Sequence, residues 1–158
     1  MSISTNRASR SSEMFTLSSK DRMDYLKTAF GGFSPHHDKD AAIKFVLNIV
    51  LMDNRLQELA ELVVEGSHLG GMEGAPGWML ERRDIVDAGK VVAYPGWPID
   101  ACFMAHVDED AYQLRHPECF MSRKEFMQYL EQAIDAYVAI HPSRAAIPTV
   151  IALRDRLE

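Results

Sequence analysis

Four side chains of zinc-ligand type fall within one short stretch of the chain: Cys102, His106, His116 and Cys119. Thiolate and imidazole suit zinc, whose structural sites are closed sets of four ligands with bonds of about 2 Å. The spacing works against a shared ion. In a strand rising about 3.3 Å per residue, Cys102 and His106 stand roughly 13 Å apart, so neither a metal nor another cofactor is expected. His116 and Cys119 have the types of a base and its nucleophile, but no cysteine-hydrolase signature surrounds them. With Asp108 added, His106, His116 and Cys119 form the best set for a polar pocket, and a small enzyme or metabolite-binding domain built on residues 102–119 is the alternative function. No residue is assigned a catalytic role.

Other candidates carry less chemistry. His36 and His37 stand beside Asp38 and Asp40 at the expected start of a helix, where acids complement the helix dipole. The segment from Gly66 to Gly77 holds five of the nine glycines and Pro76, yet matches no phosphate-binding pattern and reads as a flexible connection. A tripeptide recurs as Pro76-Gly77-Trp78 and Pro95-Gly96-Trp97, each with proline and glycine at the central positions of a turn that delivers a tryptophan. Such rings either close a sheet on its helices or anchor a partner, and burial of at least one is expected.

Charge adds a third signal. The formal net charge is −6, which disfavours a direct nucleic-acid partner because phosphate binding needs clustered positive charge. Between Ile99 and Glu118, five carboxylates (Asp100, Asp108, Glu109, Asp110 and Glu118) face Arg115 alone. An acidic edge of this kind guards a sheet against pairing or speeds encounter with a basic partner. Only two cysteines occur among 158 residues, and neither a signal peptide nor a membrane-length apolar run is apparent, so a cytoplasmic protein with reduced thiols is expected.

These residues require a scaffold, expected to be α+β: three N-terminal helices, a small antiparallel β-meander of three to four strands and two C-terminal helices. Residues 1–17 are serine-rich and read as a flexible tail, with one domain over 18–158. The first helix starts at Ser18 and stops at Gly31-Gly32, the second starts at Ser34-Pro35, and the third starts at Asn54 and ends at Gly66. Strands are expected at Val91–Tyr94, Ile99–Val107 and Ala111–Leu114, with Met79–Val86 a fourth and Asp108-Glu109-Asp110 a hairpin turn. Ser122 and Glu125 form a capping box for a helix running to His141-Pro142, and a last helix begins at Pro148.

The acidic strand and hairpin Cys102 to Leu114, followed by Ser122-Arg123-Lys124-Glu125-Phe126 and the helix to His141-Pro142, resembles the small immunity proteins of bacterial polymorphic-toxin and contact-dependent inhibition systems. The resemblance implies stoichiometric binding and neutralisation of a cognate toxin without catalysis, and the acidic edge adds the expectation that this partner is basic. It supplies no residue-level roles. From the residues themselves, Asp108, Glu109, Asp110 and Trp97 are the expected contacts with the partner.

Overall fold

The longest helix shows how local signals become structure. Ser122 accepts a hydrogen bond from the Glu125 N–H at 3.1 Å, and its own N–H donates to Glu125 Oε1 at 3.0 Å, so both halves of the capping box form. Helix α4 then runs over Arg123–Ile140 and buries Phe126, Leu130, Ala133, Ile134 and Tyr137 on one stripe. Replacing Ser122 with Ala is expected to cost about 1 kcal/mol and to lower the melting temperature by roughly 2–4 °C in a thermal melt. An unchanged melting temperature would show the box to be dispensable.

The computed structural model describes residues 25–75, 77–84 and 94–158. The expected tail, the start of the first helix and most of the expected Val91–Tyr94 strand lie outside these residues. The chain is α+β. Helix α1 covers residues 25–30 among those described, and Gly31 closes it in the left-handed region at φ 75°, donating to Lys27 O. Helix α2, Ala41–Met52, is buried over Ala41–Ile43 and Phe45–Leu51, as befits a helix that is apolar almost all round. Helix α3 is Leu56–Leu62. Four strands follow: β1 Gly71–Gly74, β2 Trp78–Arg82, β3 Phe103–Val107 and β4 Glu118–Met121. They form an antiparallel meander in the order β1-β2-β3-β4. After α4 come a 3-10 turn, Pro142–Ala146, and helix α5, Pro148–Leu157.

Strand alternation decides the layering. Trp78, Leu80, Phe103, Ala105, Val107 and Met121 are buried and belong with α2, α3, α4 and α5 to one core. Phe103 of β3 stacks on Phe126 of α4 with centroids 3.9 Å apart. The opposite face receives none of the described helices.

Four expected elements are corrected. The second helix begins at Ala41, not Ser34, because Asp38 accepts the Ser34 N–H at 2.8 Å and its own N–H donates to Ser34 O, closing a separate turn. Asn54 does not cap the third helix: it sits at φ 55° between α2 and α3, and Arg55 holds the N-cap position. The glycine-rich connection contains β1. Ala111–Leu114 is no strand. Asp108 O accepts the N–H groups of Ala111 and Tyr112, the Tyr112 ring packs 5.3 Å from Phe45, and Arg115 donates to Pro35 O, so the chain leaves the sheet and returns as β4.

Candidate functional site

The face away from the helices is read directly from the strand register. One rung across the sheet consists of Glu73, Met79, His106 and Glu118; the next consists of Gly71, Glu81, Met104 and Phe120. Three of these eight positions are carboxylates and none is lysine or arginine. Half-buried Met79 adds soft, adaptable apolar surface. Glu73 and Glu118 are exposed, whereas Met104 is buried despite its position on this face.

Aromatic rings close one end. Tyr94 to Trp97 is a turn in which the Trp97 N–H donates to Tyr94 O at 3.3 Å and Gly96 has φ 85°, the conformation its proline-glycine pair favours. The half-buried Trp97 packs edge-on against Phe120 at 5.5 Å and against Tyr94 at 5.2 Å. Trp78 lies on the other face, buried at 2 % exposure. The repeated tripeptide thus sends one ring to the core and the other to the open face.

The acidic turn closes the other end. Asp108, Glu109 and Asp110 are exposed just beyond β3. The Asp108 N–H donates to Gly77 O at 2.8 Å, which ties this turn to the β1–β2 hairpin. Its carboxylate meets His106 Nε2 at 2.9 Å, while His106 Nδ1 stands 3.4 Å from Glu118 Oε2. The imidazole therefore lies between two carboxylates and cross-links the rung to the turn.

Three adjoining clefts line this surface. One of about 380 Å³ is bordered by Glu73, Met79, Glu81 and Tyr94. It shares Glu73 and Met79 with one of about 350 Å³ that reaches His106 and Asp108. These in turn border a third, about 570 Å³, with His36, Glu109 and Tyr112. All three are depressions open to solvent.

Of the polar set foreseen from the sequence, only His106 and Asp108 come together. Cys119 pairs with Ala105 on the buried face, whereas His106 pairs with Glu118 on the open one. The thiol sits instead among groups that oppose its ionisation: burial, Asp40 and Glu125 push its pKa from an ordinary 9.0 up to about 11. Tyr129, which donates to Asp40 Oδ2 at 2.7 Å, is likewise raised by burial first and by Asp40 second. No three His, Cys, Asp or Glu side chains gather as a metal site among the described residues.

Two outcomes follow from the Cys119 environment. A thiol pushed up from 9.0 to about 11 carries about one hundredth of the usual thiolate at pH 8, so alkylation of Cys119 there is expected to run about a hundredfold slower than that of a peptide thiol. A rate near that of the peptide would contradict this environment. The folded state also holds the proton that the unfolded chain releases near 9, so the contribution to stability is present below pH 9 and is lost as pH rises towards 11. Denaturation midpoints across that window should fall less steeply in Cys119→Ala.

Comparison with known proteins gives no match to a protein-family model, to a curated protein or to a solved structure. Among the described residues, no helix is long and apolar enough to cross a membrane.

Proposed function

We propose that this chain is a stoichiometric protein-binding protein of the immunity type, which neutralises a bacterial toxin domain by covering it with the open face of its sheet. The observation that carries the proposal is the two-rung outer face. Its carboxylates continue into the Asp108–Asp110 turn, and an aromatic cluster flanks its far end. Carboxylates steer a basic partner and select against acidic ones, while half-buried Trp97 and Met79 supply apolar contact. Asp108, Glu109, Asp110 and Trp97 are the proposed contacts foreseen from the sequence, now joined by Glu73, Glu81 and Glu118. Asp108 belongs to the same surface and also positions His106. The proposed setting is the cytoplasm, in keeping with two free cysteines.

The first experiment is affinity purification of the tagged full chain from its source cells at low salt. A single basic protein eluting in stoichiometric amount supports the proposal; recovery of the chain alone overturns it. With the partner in hand, the triple variant Glu109→Lys, Asp110→Lys, Glu118→Lys is expected to slow association at least tenfold at low salt. The difference should shrink as salt shortens the screening length to about 3 Å near 1 M. Equal association rates at low salt would reject this surface.

A further inference from the structure

Ile99 is 88 % exposed, far more than Tyr112 at 43 % or Ile151 at 48 %. A lone exposed apolar side chain is ordinary, but the arrangement beneath this one is not. Arg83 is only 4 % exposed. Its Nε donates to Ala101 O at 3.0 Å, and its Nη2 donates to Ala101 O at 2.7 Å, Pro98 O at 2.7 Å and Ile99 O at 3.2 Å. The same guanidinium lies 5.2 Å from the Trp97 ring centroid and 5.6 Å from that of Tyr94. The Ala101 N–H donates to Pro98 O, the Arg83 N–H to Cys102 O, and the Cys102 N–H to Met121 O.

Burying a guanidinium is costly unless its hydrogen bonds are met. Here it bonds the carbonyls of the loop tip, Ile99 included, so the cation fixes the shape of the loop. The fold gains no burial from the Ile99 side chain in return. A rigid apolar tip loses little entropy when it enters a pocket, and hot spots are such anchors seated in desolvated pockets.

We infer that the Arg83-clamped loop 97–101 is a preformed anchor whose Ile99 side chain enters an apolar pocket, rimmed by lysine or arginine, on the protein that binds the acidic sheet face. This rests on the proposed function above and names the contact that fixes register. Charge complementarity selects the occupant: Asp100 is exposed beside Ile99, and Glu81 and Glu118 stand on the adjoining face. The loop and the Asp108 turn lie at opposite ends of β3, roughly 20 Å apart at about 3.3 Å per residue. A standard interface of about 800 Å² per partner is roughly 30 Å across, wide enough to hold both.

The test places a photo-crosslinking p-benzoylphenylalanine at position 99, and separately at position 118, of the full chain in its source cells. The expected result is capture of one and the same basic protein from both positions. Adding Ile99→Asp to the chain carrying the probe at position 118 should cut that capture at least tenfold while leaving the melting temperature unchanged. Capture from 118 alone, or capture undiminished by Ile99→Asp, overturns the anchor and leaves the proposed function standing. Capture from neither position overturns both. Capture of many unrelated proteins from position 99 also overturns the anchor, since a fitted tip selects one pocket.

Discussion

Replacing Arg82 with methionine is expected to lower stability by about 3–5 kcal/mol, the range for removing one partner of a buried ion pair. Arg82 is 7 % exposed and ends β2 on the core face. Its Nε donates to Asp84 Oδ1 at 2.8 Å, and its Nη1 reaches the carbonyls of Leu62 and Leu69 and the Ser67 hydroxyl. Nη2 donates to Ser67 O at 3.1 Å. One guanidinium therefore joins the end of α3, the loop that follows and the sheet. Methionine fills similar volume but takes the guanidinium away from those acceptors and from Asp84, whose other oxygen still accepts the Gly66 N–H. The melting temperature should fall by roughly 10 °C. Arg82→Lys should recover only part of the loss, because an ammonium cannot span the same fork of acceptors. A loss below about 1 kcal/mol would mean that water replaces the guanidinium freely, and the clamp would then have no structural weight.

Phe126→Ala is the second large effect, with an expected cost of about 3–5 kcal/mol. Both Phe126 and Phe103 are fully buried, and their rings stack at 9°. Removing one ring leaves a cavity between α4 and β3 that neighbouring groups cannot readily fill. The capping box fixes the start of α4, and Arg123 donates to Val63 O at 2.6 Å, holding the helix against the end of α3. Urea denaturation should show a lower midpoint with an unchanged slope. Phe126→Leu, which keeps most of the volume, should cost less than half as much. Equal losses for the two variants would point to ring stacking rather than cavity volume as the source of stability.

Helices α4 and α5 were legible because their signals are local: a capping box, proline at the first turn of α5 and an apolar stripe within one segment. The Tyr94–Trp97 turn was legible for the same reason, since proline and glycine restrict their own dihedrals. Strand β1 was not. Gly71-Met72-Glu73-Gly74 has weak strand propensity, and it is a strand because β2 lies beside it. Ala111–Leu114 looked a better strand than Glu118–Met121, yet Tyr112 found an aromatic neighbour in Phe45 and drew that segment out of the sheet.

The candidate site divides in the same way. By itself the sequence determined the Ser122–Glu125 capping box, the Tyr94–Trp97 turn and the run of acids at Asp108–Asp110, because each depends on residues a few positions apart. Tertiary structure alone decided that Glu73, Glu81 and Glu118 share one face, that His106 lies between Asp108 and Glu118 rather than beside Cys119, and that Arg82 and Arg83 are buried clamps. The run Glu81-Arg82-Arg83-Asp84 carries no local mark of burial. Strand register and the acceptors of a buried guanidinium are set by segments far apart in the chain, whose partners exist only once the core has formed.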